Sequence, residues 1–245
     1  MIIRNLILAA GVALIADSPA TAQAREPRAV VSINAGVQPA SNSLSHRLAF
    51  RENVEDTTAD VSYPARIGAA FDGGIGVRVW KRLGAGVAVS HFSREGPAHI
   101  DAKIPHPFFF ARPRTVTGAV DAARAETGVH LQVLYLARTT GRMRLALSAG
   151  PSRIETEQAL VTAIQYNEEF PFDTATFRSA SRRIFRASSI GFNAGFDAAY
   201  MFTRQAGLGA VVRFSRASVT IARDEGGIAM ETGGFLGGGG LRILF

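Results

Sequence analysis

Apolar and polar residues alternate along this chain with a period of two, in one segment after another. From Arg66 to Arg82 the odd positions read Ile67, Ala69, Phe71, Gly73, Ile75, Val77 and Val79. The even positions read Gly68, Ala70, Asp72, Gly74, Gly76, Arg78 and Trp80. In an extended strand these two sets lie on opposite faces. Between Ser189 and Thr203 the pattern is sharper: Ile190, Phe192, Ala194, Phe196, Ala198, Tyr200 and Phe202 share one face. Gly191, Asn193, Gly195, Asp197, Ala199 and Thr203 share the other. Weaker versions at 29–37, 85–93, 128–137, 142–154, 207–216 and 233–245 bring the count of predicted strands to eight. Glycine recurs inside these segments and is costly in a helix interior, so a helical reading fails.

The connections alternate in length. Short, turn-rich links fall at Lys81-Arg82-Leu83-Gly84, Thr139-Thr140-Gly141 and Arg204-Gln205-Ala206. Long links fall at about 38–65, 94–126, 155–188 and 217–232. The first long link carries Arg51-Glu52-Asn53-Val54-Glu55-Asp56, a solvated-loop composition; in the second, Pro105, Pro107 and Pro113 exclude a central strand over Ile104–Pro113. Short and long links in strict alternation predict an up-and-down barrel with one plain rim and one elaborated rim.

Face composition then decides which side meets which solvent. The polar faces hold small residues with a few charges, while long lysines and glutamates are scarce; Lys81 is the only lysine in a predicted strand or its turn. That suits a crowded lumen. The opposite faces, rich in Ile, Val, Leu, Phe and Tyr, suit lipid. A soluble barrel of the lipocalin type would invert the two. In lipid every backbone group must be bonded internally, so the sheet has to close on itself. Gly233–Phe245 would be the closing strand, pairing with the first strand near Ala29–Val37.

The N-terminus agrees with this destination. Arg4 precedes an apolar stretch, Leu6 to Ile15, and Ala22-Gln23-Ala24 is an A-x-A cleavage site. Residues 1–24 are expected to be an export signal and 25–245 a single barrel domain. The chain has no cysteine, which removes disulfides, thiolate metal sites and thiol nucleophiles. Its net charge is +7, yet the arginines form no basic tract or nucleic-acid motif, so no nucleic-acid partner is expected.

With its export signal, eight alternating strands, alternating turn lengths and terminal Leu241-x-Ile243-x-Phe245, the chain resembles the small eight-stranded outer-membrane β-barrel proteins of Gram-negative bacteria, the OmpA-like and OmpX-like group. The resemblance covers essentially all of Arg25–Phe245. It implies an all-β, antiparallel, eight-stranded transmembrane barrel in the outer membrane, with outer-membrane lipid as its surroundings. It also implies that Leu241, Ile243 and Phe245 form the signal read by the barrel-assembly machinery. Aromatic-girdle residues are sparse for such a barrel, with one tryptophan and four tyrosines. Trp80 would lie near the periplasmic interface, although its even position points it into the lumen.

Candidate sites follow from the faces. Asp72 and Asp197 with Arg78, Arg144, Arg213 and Arg242 are expected to form an ion-pair network in the lumen, either plugging it or lining a narrow path. Phe108, Phe109 and Phe110, unexpected in a solvated loop, are a candidate contact for an extracellular ligand. His91-x-Ser93 is similar to the His-x-Ser pair of the outer-membrane lipid A deacylases of the PagL type, but Arg94-Glu95-Gly96 does not continue that motif. His99, Asp101 and His106 carry metal-ligating groups without regular spacing, so no metal is expected. Gly237–Gly240 is followed by no Lys-Ser/Thr and is no phosphate loop. No cofactor is expected. The expected role is non-enzymatic, in envelope structure or surface recognition and adhesion through external loops. The alternatives are a lipid A-modifying hydrolase and a small passive channel.

Overall fold

The computed structural model describes residues 27–39, 43–137, 141–221 and 227–245; the expected export signal lies outside the described residues. Ten strands form one antiparallel sheet: β1 (Ala29–Pro39), β2 (Leu44–Glu52), β3 (Glu55–Tyr63), β4 (Ile67–Trp80), β5 (Leu83–Ile104), β6 (Arg114–Leu136), β7 (Met143–Glu168), β8 (Ala175–Met201), β9 (Ala206–Ile221) and β10 (Ile228–Leu244). Eight of them close a ring in the order β1-β4-β5-β6-β7-β8-β9-β10 and back to β1. The hairpin β2–β3 stands outside the ring. It joins through β3, whose Ala59–Ser62 pair with residues 99–102 of β5.

Closure runs through the predicted terminal strand. Val30 to Val37 pair with Leu244 to Gly237, and Phe245 N–H donates to Ala29 O at 2.9 Å. The glycines serve this seam. A Cβ on Gly240 would collide with the Ile33 carbonyl oxygen, and one on Gly36 with that of Gly237, whereas a Cβ on Gly237 would meet open space.

The long links are not loops, which corrects the sequence reading. The first contains the β2–β3 hairpin, and the others are continuations of β5 through β10 that carry the wall well past the predicted strand ends. Alternation persists through these extensions but changes phase. On β5 the outward residues are Leu83, Ala85, Val87 and Val89, then Ser93, Glu95, His99, Asp101 and Lys103. The inward residues run Gly84, Gly86, Ala88 and Ser90, then Ala98, Ile100, Ala102 and Ile104. On β9 the apolar set likewise moves from the outward Leu208, Ala210, Val212 and Phe214 to the inward Ala217, Val219 and Ile221.

This inversion divides the molecule into two zones. At the short-turn end the wall is apolar outside, with exposed Ile33, Phe71, Ile75, Val87, Leu131, Val133, Phe196 and Leu208 forming a continuous belt. Its strand segments suit the roughly 9–11 tilted residues that cross a bilayer. The molecule is a transmembrane barrel: the faces are the reverse of a soluble one. The sparse tryptophans and tyrosines are replaced at the upper border by a row of phenylalanines on adjacent strands. Phe192 and Phe214 lie 5.8 Å apart and Phe214 and Phe235 4.7 Å apart, centroid to centroid. Trp80 is exposed, because a bulge between Arg78 and Trp80 breaks the alternation that would have turned it inward.

Beyond the belt the wall faces water, so its apolar side turns inward and builds a core. Leu44, Leu48, Val61, Tyr63, Ile100, Ile104, Leu160, Val161, Val219 and Ile221 are buried there together. The β2–β3 hairpin supplies four of these ten and is pinned by polar contacts to a β7 bulge between Val161 and Ala163. Val161 N–H donates to Tyr63 Oη at 2.8 Å, and His46 Nε2 lies 3.1 Å from Val161 O, its ring stacked on Tyr63. We refer to this cored extension as the head.

Candidate functional site

Polar side chains fill the barrel within the belt in three connected groups. The first straddles the closing seam. Arg213 pairs with Asp72, and Arg242 pairs with Asp197. Asn34 joins the two pairs, donating from Nδ2 to Asp72 Oδ1 at 3.0 Å and accepting from Arg242 Nη1 at 2.6 Å. Asp72, Asn34, Arg213 and Arg242 are all buried. Burial this deep is tolerated by charges only when they are paired and hydrogen-bonded, which each of these is.

The second group centres on His130, whose Nε2 lies 2.8 Å from Ser90 Oγ and whose Nδ1 lies 2.8 Å from Ser152 Oγ. Asn193 donates to Ser152 Oγ at 2.9 Å and accepts from Gln132 Nε2 at 3.0 Å. It also mends a defect in the wall. The β6–β7 ladder skips from His130–Ser152 to Val133–Ala149, because Pro151 has no N–H to donate. Asn193 Nδ2 reaches across and donates to Gly150 O at 2.9 Å.

The third group adjoins the head. Arg124 Nε donates to Glu126 Oε1 at 2.8 Å, and Glu126 Oε2 accepts from Gly233 N–H at 2.9 Å and Gln38 Nε2 at 3.4 Å. Thr156 and Thr232 hydroxyls meet at 2.7 Å.

Of the six charges predicted to share a lumen network, four therefore meet there: Asp72, Asp197, Arg213 and Arg242. Arg144 does not join them. It is exposed at the β6–β7 turn, donating to Gly141 O and Met143 O, because it stands at the very start of its strand. Arg78 is half-buried at the same end of the barrel. The sequence reading misses Asn34, Arg124 and Glu126. The last two lie in what reads as a loop because the outward residues beside them, Thr127, Ala125 and Ala123, are no longer large and apolar.

At the far end of the head the tips of β5–β6 and β7–β8 meet. Phe108, Phe109 and Phe110 are all exposed, and the β7–β8 tip adds Phe170 and Phe172. Phe108 packs edge-on against Phe172 at 5.5 Å, joining the two tips in one aromatic cluster. Two buried side chains hold it. His106 Nδ1 accepts from the N–H groups of Phe108 and Phe109 at 3.1 and 3.3 Å. Arg114 donates to Pro105 O at 2.8 Å on one tip and Phe172 O at 3.0 Å on the other, and pairs with Glu168 at 2.7 Å. Below them Tyr166 has its phenol pushed up to about 12, by burial first and then by Glu52 and Glu168.

The other candidates are dispersed. His91 and Ser93 share the outer face of β5 above the belt; His91 Nδ1 lies 3.1 Å from Thr127 Oγ1 on β6. His99 and Asp101 face outward on β5, while His106 is buried at the tip. Among the described residues no group of three His, Asp or Glu could hold a metal ion. Leu241, Ile243 and Phe245 are exposed on the outer face of the closing strand, in the belt.

No protein-family model and no curated protein sequence matches the chain. Solved structures do resemble it, and they are small outer-membrane β-barrel proteins. Neisserial surface protein A is 17% identical with a TM-score of 0.47, over 89% of this chain and 97% of that one. The outer membrane protein OprG of Pseudomonas aeruginosa is 10% identical with a TM-score of 0.48, over 90% and 97%. The outer membrane protease OmpT of Escherichia coli is 10% identical with a TM-score of 0.49, over 90% and 97%. At these levels the likeness concerns fold, and any statement of function rests on the chain's own residues.

Proposed function

We propose that the protein is a non-enzymatic barrel of a bacterial outer membrane, its lumen plugged by its own side chains and its head a surface-recognition device. The short turns face the periplasm in this reading and the head projects outside the cell. The observation that carries it is the aromatic tip. Phe110 and Phe170 are 78% and 81% exposed on a support that Arg114, His106 and an apolar core make rigid. A large exposed apolar cluster on a rigid stalk is the signature of a contact surface. If the tip served only stability, those rings would pack inward with the rest of the head.

The hydrolase alternative draws less support. His91 would have to take the Ser93 proton with an acidic partner to orient it, yet its Nδ1 contact is Thr127. The channel alternative has to contend with three polar groups spanning the lumen.

The test compares cells displaying equal amounts of the wild type and of a Phe108→Ser/Phe109→Ser/Phe110→Ser variant. Attachment to cultured epithelial cells and aggregation among the expressing cells are scored together. The reading predicts that the wild type promotes at least one and the variant loses it while keeping its heat-modifiable mobility. Equal behaviour of the two proteins would overturn it.

A further inference from the structure

We propose that the short-turn mouth of the barrel is a binding site for organic phosphates, a phosphate head carried on a short apolar body. A cavity of about 460 Å³ opens there, within the range of roughly 300–1,000 Å³ usual for small-molecule sites. Its charge is one-sided. Arg28, Lys81, Arg82, Arg144 and Arg242 line it, and among the described residues its one side-chain carboxylate is Asp197, which Arg242 already engages. These cations come from four separate places: the start of β1, the turn after β4, the start of β7 and the closing strand. Apart from the adjacent Lys81 and Arg82 they lie far apart in sequence, and closure of the ring brings them together.

Cations that outnumber the acids of a concave site repel each other, and the fold holds them there regardless. A dianion relieves that repulsion more than a monoanion does, and guanidinium forks match phosphate oxygens in pairs. This favours a phosphate monoester over a carboxylate. The cavity also has an apolar side, formed by Val30, Leu134, Leu136 and Met201, which inorganic phosphate would leave unused. The site is separate from the aromatic tip and does not depend on that reading.

The only tryptophan is a built-in reporter. Lys81 Nζ stands 4.9 Å over the Trp80 ring, so an anion that engages the ammonium alters the indole's surroundings. The purified barrel in nonionic detergent is titrated at low ionic strength with inorganic phosphate, hexyl phosphate and dihexanoyl phosphatidic acid, following Trp80 emission. The proposal predicts a saturable change with hexyl phosphate or the short-chain lipid, at least about tenfold tighter than with inorganic phosphate. Saturation by the lipid alone would identify a membrane headgroup as the source; saturation by hexyl phosphate identifies soluble phosphates. Arg82→Ala/Arg144→Ala, two exposed turn positions, is expected to weaken binding about tenfold or more. Arg28→Gln, which leaves the Lys81–Trp80 reporter in place, serves the same purpose should that variant fail to fold. No saturation with any probe, equal affinity for inorganic phosphate, or unchanged affinity in a folded variant would overturn the proposal.

Discussion

Arg242 on the last strand donates a 2.6 Å hydrogen bond to the Asn34 amide oxygen on the first. The bond crosses the seam where the chain closes on itself, two residues from the point where Asn34 is paired with Gly240. Filling the lumen and closing the wall are thus one event. The ion pairs form only when β1, β4, β8, β9 and β10 are in register.

The lumen pairs are expected to show strong coupling. Arg213→Leu leaves Asp72 buried and unpaired, which is expected to destabilise the barrel by about 3–5 kcal/mol. Asp72→Leu/Arg213→Leu removes both charges and is expected to recover most of that loss. Urea unfolding in micelles, followed by Trp80 emission, compares the wild type with both variants; a double variant no more stable than Arg213→Leu alone would refute the pairing.

The closing seam gives a positional prediction. Gly240→Ala puts a methyl group against the Ile33 carbonyl oxygen, whereas Gly237→Ala puts one into open space. The first is expected to lower the yield of heat-modifiable barrel sharply, and the second to leave it unchanged. Equal yields would show that the glycine run is not fitted to the seam.

Asn193→Ala removes the amide that bridges the proline gap in the β6–β7 ladder. Each buried group left unsatisfied costs about 1–3 kcal/mol, and the Gly150 carbonyl and the Gln132 amide would both lose a partner. Hydrogen exchange around Leu131 to Val133 is expected to accelerate in this variant. Wild-type protection there would show that the wall holds without the bridge.

Arg114→Ala should free the two aromatic tips from each other while leaving the membrane zone intact. Proteolysis of intact cells is expected to cut between Pro105 and Arg112, or between Glu169 and Asp173, many times faster than in the wild type. An unchanged cutting rate would place the tip's rigidity elsewhere.

The membrane zone is legible in the sequence because one rule holds throughout it. With lipid outside and charge inside, Ile190 to Tyr200 and Ile67 to Val79 announce both strand and face. The same rule hides the head. His99-Ile100-Asp101-Ala102-Lys103-Ile104 alternates as cleanly as any lower strand, but its apolar set lies on even positions where β5 began with odd ones. A reading that follows one phase stops at the change and writes a loop. The lumen acids Asp72 and Asp197 are recognisable because their strands are. Arg124 and Glu126 keep the inward phase of His130 and Gln132, but the outward set opposite them has shrunk to Thr127, Ala125 and Ala123, so the strand signal fades before it reaches them; no spacing in the sequence announces that Asn34 joins two ion pairs.

The absence of cysteine allows the most direct test of the account. Phe109→Cys at the head, Ile75→Cys in the belt and Thr203→Cys at a short turn are introduced singly, and intact cells are exposed to a membrane-impermeant maleimide. The Phe109→Cys thiol is expected to react on intact cells and the Thr203→Cys thiol only after the outer membrane is permeabilised, while the Ile75→Cys thiol resists both treatments. Labelling of Ile75→Cys from water, or of Thr203→Cys on intact cells with Phe109→Cys protected, would contradict the membrane barrel or its orientation.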